Sequence, residues 1–204
     1  LDLIPDTYRT LPDNPAVVDA RIDQVINDYP DLDYLLCFRS EGSRGGKTWD
    51  NIFARFYERF KKEAPGTRLA VSGWGLPPDH VAELPEDVIA APIAPYRATW
   101  QNGREYGDRE YWACPWLERD FRSSCYYYPY DIHLSDPIAA YQERAENTEG
   151  LYCLTWRLTD AVDAKMSYIA KAPWDLKDKY TSSESVYRDY AIKNYGPEAT
   201  EKVL

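Results

Sequence analysis

Four times along the chain a short apolar stretch runs directly into a cluster of Trp, Arg and carboxylate residues. These stretches begin at Asp33, Arg68, Glu110 and Leu151, and a fifth apolar run without the charged tail begins at Asp87. Continuous apolar runs bounded by loops are typical of strands buried on both faces, as in a parallel sheet. Polar residues at the carboxyl ends of such strands favour a ligand site at that edge of the sheet.

Helical periodicity separates the predicted strands. Asp13-Asn14-Pro15 predicts the cap and first turn of a helix that buries a face from Val17 to Ile26 and ends near Tyr29-Pro30. A second helix has apolar residues at helical spacing and is stopped by Pro65-Gly66; these residues are Ile52, Phe53, Phe56, Tyr57 and Phe60. Four more helices are predicted around residues 79–83, 135–144 and 164–170, and from a Thr181–Glu184 capping box to Gly196-Pro197. The alternation of helix and strand is typical of right-handed parallel crossovers.

This pattern fits either an open α/β sheet or part of a (β/α)8 barrel. The chain has neither a GxGxxG motif nor a P-loop, which an open doubly wound sheet usually carries after a strand. Clusters of Trp, Arg and carboxylate residues also follow nearly every predicted strand instead of one switch point, which favours the barrel. A complete barrel has eight strands and about 250 residues. We therefore predict one (β/α)-barrel unit over residues 1–204, a partial TIM barrel of about strands four to eight. It would be the C-terminal portion of a larger catalytic domain. A partial barrel has two open sheet edges, which promote aggregation unless another segment or chain covers them.

Composition and charge limit the classes of molecule that this protein is expected to bind. The net charge of −10 argues against nucleic acid and anionic membranes as partners, and no apolar run reaches the roughly 20 residues that span a bilayer. Aromatic residues are abundant, with 7 Trp and 18 Tyr. Such side chains stack on sugar rings, and they also pack between helices and sheets. We expect a carbohydrate partner, and the packing alternative stays open.

The cysteines and histidines indicate neither a metal site nor a cofactor. The cysteines lack CxxC spacing; they are Cys37, Cys114, Cys125 and Cys153. Buried thiols are the first expectation, and a Cys114–Cys125 disulfide is the alternative. The two histidines, His80 and His133, have no ligand-like neighbours in the sequence.

Two strand ends carry candidate catalytic carboxylates. Glu41 follows the first predicted strand, next to Arg39, which could position it or bind an acidic sugar group. Glu118 and Asp120 follow the fourth predicted strand. Glycosidases place two carboxylates on either side of the scissile bond, so Glu41 is predicted as general acid and Glu118 or Asp120 as nucleophile or base. The alternative is a set of surface ion pairs with neighbouring arginines.

Other residues at the strand ends are candidates for substrate binding. An indole at a barrel mouth offers a flat apolar surface to a sugar ring, and Arg, Asp and Tyr side chains hydrogen-bond its hydroxyls. In the structural alternative, the Trp side chains fill the end of the barrel and the Arg and Asp side chains form ion pairs on the surface. The candidates are Arg39, Trp74, Trp116, Arg119, Tyr128, Trp156, Arg157 and Asp160.

Four segments resemble the later barrel strands of large bacterial polysaccharide-degrading glycoside hydrolases, those with α-glucuronidase-like and β-hexosaminidase-like barrels. The segments are FKKEAPGTRLAVSGWG, APIAPYRATW, CPWLERDFRSSCYYYPYD and GLYCLTWRLTDAVD, and the resemblance covers about residues 30–172. It implies a multidomain secreted or periplasmic enzyme whose acid/base follows the fourth strand of the complete barrel. That strand is the first one predicted in this chain, and Glu41 follows it. Hexosaminidases have an Asp-Glu pair where this chain has Ser40-Glu41, so substrate-assisted N-acetyl chemistry is not expected.

The sequence thus predicts a glycoside hydrolase acting on a poly- or oligosaccharide. Two alternatives remain open: a non-catalytic carbohydrate-binding barrel fragment, and a half-barrel that functions only when assembled with a partner chain or with itself.

Overall fold

The computed structural model describes residues 14–39, 46–73, 76–93, 106–114, 149–152, 160–171 and 183–203. The helices in these ranges are α1 (Pro15–Asp28), α2 (Gly46–Glu63), α3 (Pro78–Ala82), α4 (Asp160–Lys171), α5 (Ser183–Tyr195) and α6 (Pro197–Val203). The strands are β1 (Tyr34–Phe38), β2 (Arg68–Ser72), β3 (Ile89–Ala90), β4 (Trp112–Ala113) and β5 (Gly150–Leu151).

The chain folds into two compact units. The first unit comprises Leu1–Ile93 and Gly103–Trp112, and the second comprises Ala94–Asn102 and Ala113–Leu204. The single barrel unit over residues 1–204 stays a prediction.

A three-stranded parallel sheet organises the first unit. β1 and β2 pair in parallel, from Tyr34 opposite Arg68 to Phe38 opposite Ser72. β1 lies within a residue of the predicted range 34–39, and β2 begins at the predicted Arg68, because the apolar runs are short and bounded by polar residues. The predicted α/β class is therefore confirmed as a mixture of helices with a small parallel sheet.

β3 continues the sheet in the order of the chain. β2 pairs with it in parallel through Ala70 opposite Ile89 and Val71 opposite Ala90. Ala90 in turn forms a parallel bridge with Tyr111. The strand predicted in the apolar run that begins at Asp87 is thus present as a short ladder. Each paired segment lies beside the next one in sequence.

The last two predicted strands are described only at their beginnings. β4 and β5 form a two-stranded sheet, and the Tyr152 amide donates a hydrogen bond of 3.1 Å to the Ala113 carbonyl. The remaining residues of both predicted strands lie outside the described residues. The helix predicted over residues 135–144 lies there too.

The first two helices form as their sequence patterns predict. Asn14 is the N-cap of α1, and its side-chain oxygen accepts from the Ala16 amide at 3.1 Å. Ile22 and Val25 are buried, whereas Val17 in the first turn is 47% exposed, so the predicted buried face begins too early. The inward face of α2 is buried as expected, at Ile52, Phe53, Phe56 and Phe60.

Ion pairs join the outer faces of α1 and α2. Arg55 binds Asp19 at 2.5 Å, and Arg59 binds Asp23 at 2.6 Å and also Glu63. The hydrogen bond from Arg55 lowers the pKa of the Asp19 carboxyl. Exposed pairs of this kind contribute little to stability, so the buried apolar faces hold the two helices together.

A fully paired polar group closes the amino-terminal edge of the sheet. One Glu110 oxygen lies 2.6 Å from the Arg68 guanidinium, and the other accepts from the Trp112 indole at 2.9 Å. The Trp112 ring contacts the Tyr34 ring edge to face, with centroids 4.9 Å apart. Because each Glu110 oxygen has a partner, this carboxylate is a structural group.

In the second unit α5 ends where the sequence predicts, but the chain forms a further helix. Gly196 has a φ of 82°, and its amide donates to the Ile192 carbonyl at 3.0 Å. Glycine at this position ends the helix because it adopts positive φ without strain. Pro197 then begins α6, which was not predicted from the sequence, since a proline that cannot continue one helix suits the first turn of another.

Replacing the α1 cap, Asn14→Ala, is expected to lower the free energy of unfolding by about 1 kcal/mol, because the Ala16 amide loses its acceptor. Urea denaturation followed by circular dichroism measures the change. Asn27→Ala, at an exposed position inside the same helix, is the matched control and should be neutral or slightly stabilising. An equal loss in both variants would contradict the capping role.

Candidate functional site

Most of the predicted site residues lie outside the part of the chain that the structure describes. Those outside the described residues are Glu41, Trp74, Trp116, Glu118, Arg119, Asp120, Tyr128, Trp156 and Arg157. Asp160 is the first residue of α4. Arg39 is described with its side chain, and it lies directly after β1 at the carboxyl edge of the parallel sheet.

Backbone and aromatic contacts fix the position of Arg39. Its amide donates to the Ser72 carbonyl at 2.7 Å, which extends the β1–β2 ladder by one bond. Its guanidinium carbon lies 5.8 Å from the centroid of the Trp49 ring, a cation–π distance. Arg39 is therefore held at the edge predicted to carry the site.

Trp49 supports this edge from the first turns of α2. Its side chain is completely buried and stacks on Phe53 with centroids 5.0 Å apart. Its indole N–H donates to the Phe38 carbonyl at 3.3 Å. Because α2 follows β1 directly, its amino-terminal turns lie at the same edge as the end of β1. Trp49 thus fastens the helix to the strand.

Two residues that were not predicted from the sequence complete the arrangement. His80 of α3 lies with its ring centroid 5.9 Å from that of Trp49, and its Nε2 is 3.5 Å from Oδ1 of Asp50. Both belong to helices that follow parallel strands, so both reach the carboxyl edge. In the sequence, the acidic neighbours of His80 are Asp79 and Glu83, whereas its contact in the structure is with Asp50 of α2, thirty positions away.

Burial and charge keep His80 neutral. The side chain is 12% exposed, and burial is the main cause that lowers the pKa of its imidazole, followed by the positive charge of Arg39. Asp50 and Glu83 act in the opposite direction and do not reverse the shift. At neutral pH the imidazole is therefore uncharged and offers one N–H and one lone pair.

Three polar atoms of this group are buried and make no hydrogen bond within the part of the chain that the structure describes. They are Arg39 Nε, Asp50 Oδ1 and His80 Nε2. Buried polar atoms are nearly always paired, because leaving one unpaired costs about 1–3 kcal/mol. Unpaired atoms at one sheet edge are therefore candidates for ligand contact. We call these residues the Arg39–Asp50–His80 cluster.

The cysteine and metal chemistry is limited in the described ranges. Cys37 is fully buried in β1, and burial raises the pKa of its thiol to about 12. A thiol that remains protonated at neutral pH is a poor nucleophile. Cys114 is also buried, and Cys125 and Cys153 lie outside the described residues, so the alternative pairing stays open. Over those same ranges, no three His, Cys, Asp or Glu residues are grouped to hold a metal ion.

Comparison with protein-family models, characterised proteins and solved structures found no match for this chain. Of the helices described, none is long and apolar enough to cross a membrane.

Proposed function

We propose that this protein is a carbohydrate-active (β/α)-barrel domain that hydrolyses glycosidic bonds at the carboxyl edge of its parallel sheet. The observation that carries the proposal is the Arg39–Asp50–His80 cluster, which collects unpaired polar atoms at that edge. Glu41 follows Arg39 by two residues in the chain. Sugar hydroxyls both donate and accept hydrogen bonds, so they suit a site that offers both kinds of partner.

The strand order supports the barrel part of this proposal. β1, β2, β3 and the Tyr111 bridge lie side by side in chain order, and all pairings are parallel. A barrel continues in this way, whereas an open doubly wound sheet reverses its order at a switch point. Barrel enzymes carry their active sites at the carboxyl ends of the strands.

In the proposed mechanism Glu41 protonates the leaving oxygen, and Glu118 or Asp120 is the second carboxylate. A separation of about 5–5.5 Å between the two carboxyl groups would give retention of configuration, and about 6.5–9.5 Å would give inversion. Trp74, Trp116 and Trp156 would stack on sugar rings, and the hydrogen-bonding candidates are Arg119, Tyr128, Arg157 and Asp160.

The substitution Glu41→Gln tests the catalytic part. It keeps the size of the side chain and removes the transferable proton, so kcat/KM should fall by at least about 100-fold. The measurement is the release of reducing ends from a panel of polysaccharides and oligosaccharides. Glu86→Gln is the matched control, because Glu86 is exposed and precedes β3, at the other end of the strand.

The outcomes separate the alternatives. Full activity in Glu41→Gln would overturn its role as the acid, and Glu118→Gln and Asp120→Asn then locate the carboxylates that act. Glycan binding by the parent protein without hydrolysis would replace the enzyme with a carbohydrate-binding module. Activity or binding seen only in a dimer, detected by light scattering, would indicate a half-barrel that assembles with itself.

A further inference from the structure

The proposed mechanism gives no role to Asp50 and His80, although both lie at the proposed edge. Their contact is 3.5 Å long between Nε2 and Oδ1, beyond the usual range of an N–H···O hydrogen bond. Each of the two atoms is also buried without another partner in the described part of the chain. Two polar atoms that lie this close together without a hydrogen bond can both contact one group of a ligand.

We propose that Arg39, Asp50 and His80 form a subsite that binds neighbouring hydroxyl groups of a neutral sugar residue. This inference rests on the proposed function and names the substrate class of the same site. The Nε–H of Arg39 donates to a hydroxyl oxygen, and Oδ1 of Asp50 accepts a hydroxyl proton. His80 Nε2 accepts or donates according to the tautomer that the bound hydroxyl selects.

The donor and acceptor balance favours a neutral sugar over an acidic one. A sugar carboxylate would satisfy Arg39, but it has no proton to give to Asp50 Oδ1 and would be repelled by that carboxylate. His80 does not offset the repulsion, since its imidazole is neutral at pH 7. Hydroxyl groups satisfy all three atoms. The acidic-sugar role considered for Arg39 from the sequence is therefore the less favourable one at this position.

Trp49 gives this subsite its rigidity. The indole is fully buried, so it does not serve as a stacking surface for the sugar. It lies instead between the strand and the two helices, with Arg39 over its ring and His80 beside it. Side chains held in place before binding lose little conformational freedom when the ligand arrives.

Binding measurements on matched variants test the subsite. The probes are neutral hexasaccharides of glucose, xylose, galactose and mannose, with galacturonic acid hexasaccharide as the acidic counterpart. Calorimetry is carried out in the Glu41→Gln background, which leaves the probes intact. Asp50→Asn should weaken binding of the neutral probe by roughly 10- to 100-fold, because a hydrogen bond to a charged acceptor is lost. Asp79→Asn is the control, since Asp79 is exposed and adjacent to His80 in α3.

A spectroscopic readout on the unaltered cluster accompanies these variants. The chain contains two histidines, His80 and His133, so its imidazole region in a ¹H–¹⁵N spectrum is simple, and His133→Gln, which leaves the cluster unchanged, assigns the remaining signals to His80. Titration with the neutral probe should shift the His80 Nε2 resonance and change its tautomer balance. This measurement needs no substitution within the cluster, so it remains decisive even if Asp50→Asn fails to fold.

The results distinguish failure of the subsite from failure of the proposed function. If the parent protein hydrolyses or binds a neutral glycan while the His80 signal does not move and Asp50→Asn binds as the parent does, the subsite is overturned and the proposed function stands. Preference for the galacturonic acid probe, with tighter binding in Asp50→Asn, overturns the neutral-sugar assignment. If no glycan is bound or hydrolysed, both proposals fail.

Discussion

Replacing Trp49 with alanine is expected to lower the free energy of unfolding of the first unit by about 3–5 kcal/mol, the usual cost of deleting a large buried aromatic side chain. The indole has no exposed surface, stacks on Phe53 and donates to the Phe38 carbonyl. Its removal leaves a cavity between β1 and α2 and releases Arg39 from its cation–π contact. Urea denaturation monitored by circular dichroism measures the loss as a lower midpoint.

Trp49→Phe separates packing from hydrogen bonding. Phenylalanine keeps most of the stacked surface but cannot donate to the Phe38 carbonyl, so the expected loss is about 1–2 kcal/mol. Leu84→Ala, at a half-buried position between α3 and β3, shows the cost of a truncation away from this contact. If Trp49→Ala costs less than about 1 kcal/mol, the burial described for this residue is wrong.

The second large effect is expected at the centre of the parallel sheet. β2 pairs with β1 on one side and β3 on the other, and Val71 is fully buried. Val71→Asp places a carboxylate there without a partner, so we expect a loss of more than about 4 kcal/mol, comparable with the whole stability of a small domain. The measurements are the yield of soluble protein and its circular dichroism spectrum.

The same substitution at an exposed site is the control. Val17→Asp adds a carboxylate in the first turn of α1, where Val17 is 47% exposed and the helix dipole favours negative charge. This variant should fold and change the free energy of unfolding by less than about 0.5 kcal/mol. A folded Val71→Asp with parent-like stability would contradict the central position of β2.

Local signals in the sequence were sufficient for much of the first unit. The runs at β1 and β2 are short and apolar, so both ends of β1 and the beginning of β2 could be predicted to within a residue. Asn14 and Gly196 mark helix ends through chemistry that acts within a few residues, namely a side-chain cap and a positive φ. Their positions in the structure agree with the prediction for that reason.

The contacts of His80 could not be predicted in the same way. Its pairing with Asp50 depends on how α2 and α3 pack, and no short pattern records the meeting of two residues from different helices. A usable signal was nevertheless present: Asp50 lies in the helix that follows the first predicted strand, and His80 lies in the helix that follows the second. Polar residues early in such helices belong among the candidates for a site at the carboxyl edge. Barrel closure is also non-local, and it stays a proposal because it depends on pairings between distant strands.

The two edges of the parallel sheet differ in a way that bears on how this protein can evolve. At the amino-terminal edge, Arg68 and Trp112 occupy both oxygens of Glu110, so a change in any of the three disturbs its neighbours. At the opposite edge, Arg39, Asp50 and His80 rest on Trp49 and keep atoms unpaired. A substitution that removes one of these unpaired atoms breaks no hydrogen bond at it, so new ligand preferences can arise at one edge while the other preserves the architecture.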